Sequence, residues 1–161
     1  VIDCRVRHVA GRLVLLCGLP GSGKTTLATR LAGSLPAVRL CPDDWLRGLG
    51  IDLFDEPARA RLEAVLSAHA HELLRHGVHV VLEFGFWSRA ERDEQRLAAR
   101  ALGAPVELRY LDVPFEVLVR RLAARNLTGT TVTITPDMLR EYSTMFDPPT
   151  AEELALFDTS R

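Results

Sequence analysis

The chain has 161 residues, a length for about one domain with a single substantial core, and its 20 basic and 21 acidic residues leave a formal charge of −1. That balance excludes a global electrostatic attraction to nucleic acid or to an anionic membrane surface. Cys4, Cys17 and Cys41 are odd in number and lack both a C-x-x-C spacing and a paired histidine, which argues for a reducing, cytoplasmic setting and against disulfides or zinc, and no apolar run approaches the roughly 20 residues of a membrane helix.

In chain order, Val1 to Ala10 is a poorly periodic lead-in, and a start at valine leaves room for a preceding segment. Arg12 to Cys17 is expected to form a buried parallel strand. Gly18-Leu19-Pro20-Gly21-Ser22-Gly23-Lys24-Thr25 then matches the phosphate-binding loop pattern in full, between that strand and a helical run from Thr26 to Ala32. The glycines allow positive φ and a close backbone approach, so Gly18, Pro20, Gly21, Ser22 and Gly23 can wrap an anion at the positive end of a helix dipole. Lys24 would reach the β and γ phosphates of a nucleotide, and the Thr25 hydroxyl would ligate Mg²⁺. Thr26 is counted with this nucleotide site, although a structural role suits it better.

Ala37 to Cys41 suggests a second strand, ending at Pro42-Asp43-Asp44-Trp45 where ligands of parallel sheets sit. Leu46 to Glu56 suggests a loop or short helical turns, and Ala58 to Arg75 a long amphipathic helix burying Leu62, Val65, Leu66, His69 and Leu73. Val78 to Glu83 is a third strand with an acid as its last residue, followed by Phe84-Gly85-Phe86-Trp87-Ser88 and a charged helix from Arg89 to Leu102. Pro105 to Asp112 is a fourth strand, Phe115 to Asn126 a helix, and Gly129 to Thr135 a polar connection before a helix capped by Thr135 and opened by Pro136. Thr150 opens a last short turn or helix. The alternation predicts an α/β fold of three layers, αβα, around a mostly parallel sheet of four or five strands, in one domain.

Phosphoryl transfer needs a phosphate cradle, a metal, an acid to orient the acceptor hydroxyl, and cations around the transferred group. Asp43 directly follows the second strand and can accept the acceptor's proton; Asp44 either shares that role or caps the next segment. Glu83 stands where nucleotide-binding folds put the acid that holds Mg²⁺, and its extra methylene relative to aspartate fits a direct contact, a contact through water, or a carboxylate aimed at the substrate. Arg121 and Arg125, four residues apart, share a helix face and either neutralise transferring phosphate or remain solvated. Trp45, Phe84, Phe86 and Trp87 form either an apolar wall for a ring-bearing acceptor or part of the core, with Arg89 close by in sequence.

In these motifs, together with Asp112-Val113-Pro114-Phe115, Arg89 to Arg92 and Thr135-Pro136-Asp137-Met138-Leu139, the chain resembles the small P-loop kinases that include chloramphenicol phosphotransferase, zeta toxins and the 5′-kinase domain of phage-type polynucleotide kinase. The resemblance covers nearly the whole chain and implies the P-loop NTPase fold, ATP as donor, Mg²⁺ as metal, Asp43 as general base, and Arg121 and Arg125 on donor phosphates beside a lid at about residues 121–136. Polynucleotide kinases carry an arginine three residues after the base, where this chain has Leu46. That departure, with the near-neutral charge, points to a small acceptor such as an antibiotic, nucleoside or sugar and away from nucleic acid.

Overall fold

Short apolar runs alternating with helical patterns do produce a parallel sheet flanked by helices. The structure, a computed structural model, describes residues 9–129 and 132–159. Residues 1–8, with Cys4 and most of the expected lead-in, lie outside them, as do 130–131 of the expected lid and 160–161. The elements are β1 (Leu13–Cys17), α1 (Lys24–Ser34), β2 (Ala37–Leu40), α2 (Pro42–Gly48), α3 (Glu56–Arg75), β3 (His79–Gly85), α4 (Arg89–Ala101), β4 (Val106–Tyr110), α5 (Phe115–Leu127), α6 (Pro136–Met145) and α7 (Ala151–Leu154). Among the described residues no helix is long and apolar enough to cross a membrane.

The four strands lie in the order β2-β3-β1-β4, all parallel. Every residue of β1 is buried because both faces of this central strand are covered. Leu13, Leu15 and Cys17 pack with Leu66, Ala70 and Leu74 of α3 and Ala99 of α4, whereas Val14 and Leu16 meet Ala28 and Leu27 of α1. The two-residue period of the strand thus divides the core into two layers about the sheet. From β1 the chain leaves toward β2, and from β3 it leaves past β1 toward β4, which opens a crevice at the carboxyl ends of β1 and β3.

Three local expectations are corrected. Pro42, Asp43 and Asp44 begin a helix, α2, and do not merely end a strand: proline occupies its first turn, both acids sit at its positive end, and buried Leu46 anchors it. The buried stripe of α3 is Ala58, Leu66, Ala70 and Leu74, while Val65 is 64% exposed and His69 faces solvent. Small alanines let the helix approach the sheet, so bulk alone misplaces its inner face. Third, β3 does not stop at Glu83 but runs to Gly85, and its register against β1 shifts after Leu15.

The turn after β3 is held by a buried ion pair. Phe86 sits at φ 48°, a left-handed conformation costly for a residue with a Cβ. Its carbonyl accepts from Arg92 Nη1 at 3.0 Å and from Cys17 Sγ at 3.3 Å. Arg92 is wholly buried and also donates to the Asp147 carbonyl at 2.9 Å and, from Nε and Nη2, to Glu153 on α7 at 2.5 and 2.9 Å. Glu153→Ala would leave this guanidinium buried without its carboxylate and should lower the unfolding free energy by about 3–5 kcal/mol, read by urea denaturation. A loss below about 1 kcal/mol, the range of an exposed pair, would contradict this account.

Candidate active site

The loop after β1 adopts the backbone that its glycines permit. Gly18, Gly21 and Gly23 have φ of 150°, 81° and 100°, and a Cβ on Gly18 would lie 2.9 Å from Ser22 Oγ and 3.1 Å from the Leu111 carbonyl oxygen. Gly23 caps α1 without a side-chain acceptor for the amides of the first turn, a donor arrangement that suits an anion. Lys24 Nζ folds back to donate to the carbonyls of Gly18 and Leu19 at 2.8 and 2.9 Å, with Ser22 Oγ at 3.5 Å. Burial pushes this ammonium down to about 8, partly opposed by the charge of Glu83. A cleft of about 390 Å³ runs beside the loop between Thr26, Leu27, Arg30, Leu111 and Arg121, with room for the remainder of a nucleotide.

Glu83 is 8% exposed, and both its oxygens are engaged. Thr25 Oγ1 donates to Oε1 at 2.5 Å, and Arg39 Nε and Nη2 each stand 2.7 Å from Oε2. Thr25 and Glu83 therefore bring two hard oxygen ligands together at the mouth of the loop, the donor set Mg²⁺ prefers. Arg39 reaches further, to Asp44 Oδ2 at 2.7 Å, and Arg47 meets the other oxygen of Asp44 at 3.1 Å.

Asp43 is half-exposed, with Arg59 Nη2 of α3 2.7 Å from its Oδ1. Arg59 is itself steadied by the Leu53 carbonyl at 3.2 Å and by Glu63 at 3.6 Å. Burial pushes the Glu63 carboxyl up to about 7 against the pull of Arg59. The charge of Asp43 acts on both Lys24 and Arg125, so its carboxylate lies within electrostatic reach of the phosphate loop. Asp44 turns instead to its two arginines.

On α5, Arg121 Nη1 reaches the carbonyls of Gly21 and Ser22 at 3.4 and 3.3 Å, while burial lowers the Arg125 guanidinium from its usual range despite Asp43. Arg121 thus contacts the loop directly, and the described end of the expected lid folds back through Asn126, which pairs with Ile134 at 2.9 and 3.3 Å. Trp45 is exposed on α2, and Trp87 tilts against Tyr142 of α6 with ring centroids 5.2 Å apart. Phe86 does not line an acceptor wall: it is 4% exposed in the core and stacked on Phe84 at 5.5 Å. Arg89 faces solvent and Asp93, at 3.4 Å.

Arg39 and Arg59, which pair with Glu83 and Asp43, carried no sequence signal for those pairings, nor did Tyr142 for its contact with Trp87. A signal existed for Arg39, a cation inside the apolar run Ala37-Val38-Arg39-Leu40-Cys41, but none for its partner 44 residues away.

Because phosphate oxygens favour the charged lysine, nucleotide binding above pH 8 should draw a proton onto Lys24. The affinity for a fluorescent ATP analogue is expected to be flat below about pH 8 and to fall by up to about tenfold per unit above it, with proton uptake seen by calorimetry in buffers of different ionisation enthalpy. A flat profile to pH 9 would show that Lys24 is not held low in the free protein.

Residues 13–149 match the AAA domain family AAA_33. The chain is 35% identical over 120 residues to a "Probable adenylyl-sulfate kinase" of Aeropyrum pernix, a match that covers 69% of this chain and 64% of that protein, so the chain spans just under two thirds of its length. Among solved structures it is similar to the Mycobacterium tuberculosis APS kinase CysC in complex with AMPPNP and APS, with TM-score 0.60 and 27% identity over 78% of this chain and 79% of that one. Likeness to a chain of the Pnkp1/Rnl/Hen1 RNA repair complex, with TM-score 0.71 and 24% identity over 88% of this chain and 45% of that one, is in fold alone. The P-loop NTPase fold, the complete phosphate loop and the match over residues 13–149 agree, and the chain belongs to the AAA domain family, among the small P-loop kinases.

Proposed function

We propose that this chain is an ATP- and Mg²⁺-dependent kinase that transfers the γ-phosphoryl group to a hydroxyl of a small molecule. The observation that carries this reading is Asp43, a half-exposed carboxylate at the start of α2 with Oδ1 paired to Arg59 and its charge felt at Lys24 and Arg125. A nucleotide switch needs no such acid, whereas a kinase needs one to orient and deprotonate the acceptor.

In this reading the loop amides and Lys24 bind the β and γ phosphates, and Lys24 exchanges its contacts with the Gly18 and Leu19 carbonyls for phosphate oxygens. Thr25 and Glu83 would hold Mg²⁺, directly or through water, and the ion would supply neutralising positive charge. Asp43 takes the proton of the acceptor hydroxyl, and Arg121 and Arg125 offset negative charge on the transferred group beneath a lid at about residues 121–136. Trp87, Tyr142 and Trp45 offer ring surfaces near the acceptor. Leu46 is wholly buried, so the position where polynucleotide kinases carry a phosphate-holding arginine is closed to ligand, which supports a small acceptor. An antibiotic, a nucleoside, a sugar and, from the names of its relatives, adenylyl sulfate are the first compounds to test.

The test is transfer of label from γ-labelled ATP to a library of hydroxylated metabolites and antibiotics, with a 5′-hydroxyl oligonucleotide alongside. A labelled small molecule is expected, and labelling of the oligonucleotide alone would reassign the acceptor to nucleic acid. Asp43→Asn should lower turnover by about 10²–10⁴-fold with nucleotide affinity nearly unchanged. Undiminished turnover in that variant would remove Asp43 from the base role.

A further inference from the structure

Arg39 lies outside every motif of the site, yet it is the residue that meets the proposed metal acid. Its Nε and Nη2 both stand 2.7 Å from Glu83 Oε2, and its side chain is 23% exposed against 5% for Glu83. Thr25 takes the other oxygen. Among the described residues no three His, Cys, Asp or Glu side chains come together as a group that could hold a metal ion. A divalent ion at this place would find the oxygens of Thr25 and Glu83, an arginine already in contact with Glu83, and the ammonium of Lys24 close enough for Glu83 to act on it. Mg²⁺ keeps a full octahedron of oxygens and loses water reluctantly, so two protein oxygens beside two cations hold it poorly. A polyphosphate changes that balance, because it supplies both ligand oxygens and the negative charge that Arg39 and Lys24 leave lacking.

We infer that Arg39 is a positioning residue that makes metal capture conditional on nucleotide: it neutralises Glu83 and aims its second oxygen at Thr25, so that the ion enters as the metal–nucleotide complex. This rests on the donor half of the function proposed above. Arg39 also bridges to Asp44 on α2, whose neighbour Asp43 is the proposed base, so one guanidinium spans the proposed metal acid and the helix of the proposed base.

The probe is Mn²⁺, followed by its paramagnetic resonance signal on the full chain without nucleotide. The unaltered protein should bind free Mn²⁺ weakly. Arg39→Gln and Arg39→Met, both without the charge, should bind it about tenfold more tightly or better, whereas Arg39→Lys, which keeps the charge, should stay weak. Adding Glu83→Gln to Arg39→Gln should abolish the gain, and thermal unfolding checks that each variant is folded. A merely structural arginine would weaken the protein without creating a metal site. Equal free-Mn²⁺ affinity in the unaltered protein and both charge-free variants would overturn the inference. So would free Mn²⁺ binding to the unaltered protein as tightly as in the presence of a non-hydrolysable ATP analogue. If the Mn²⁺ complex of that analogue fails to bind at all, the proposed function fails in its donor half, while the comparison of free Mn²⁺ among the variants still judges Arg39.

Discussion

The site depends on meeting negative charge at the carboxyl end of the sheet, where one acid is shut from water and the other is half-exposed. Glu83 sits at the carboxyl end of the sheet with little access to solvent, and Arg39 and Thr25 answer both its oxygens. A carboxylate placed there alone would be desolvated without return; with its guanidinium in contact it becomes a fixed, oriented carboxylate. The same solution recurs one helix away, where Arg59 holds Asp43 and is held in turn by Leu53 and Glu63. Two acids near the phosphate loop each have their own arginine from a neighbouring element.

This pairing lets a small sheet hold two acids near one crevice. The strands diverge in connection at β1 and β3, so the loop, Glu83 and the Phe86–Trp87 turn all emerge at one crevice. The turn is locked from behind by buried Arg92, which joins the Phe86 carbonyl to the segment from Asp147 to Glu153. The C-terminal helices thereby bear on this turn: Tyr142 of α6 touches Trp87, and Trp87 in turn accepts the Asp147 amide at its carbonyl, at 2.8 Å. Local strain at Phe86 persists because several partners oppose its release.

The legible features were those whose signal is local. The phosphate loop compresses its requirement into eight consecutive residues, because φ above zero, close backbone approach and a lysine at the helix start are properties of neighbours in sequence. Helix caps behaved the same way: Thr135 and Thr150 accept from the amides three residues on, as their positions implied. Where the reading failed, competing interactions came from afar. Val65 and His69 have the right spacing for a buried stripe, but the buried stripe is Leu66, Ala70 and Leu74, with Leu62 and Leu73 partly buried beside it. For Phe86, open in the sequence between an acceptor wall and the core, the structure shows a buried core residue stacked on Phe84.

The sequence by itself determined the fold class, the donor-binding loop and the residues that face it on α1, because each rests on backbone geometry and hydrophobic period within a single element. Only the tertiary structure decided which charges meet. Arg39 with Glu83, Arg59 with Asp43 and Arg92 with Glu153 are pairs 44, 16 and 61 residues apart, made by strand order and helix docking. Coulombic pairing acts through space and leaves no period in the chain, so the loop could be recognised from its letters while the arginines that organise the acids around it could not.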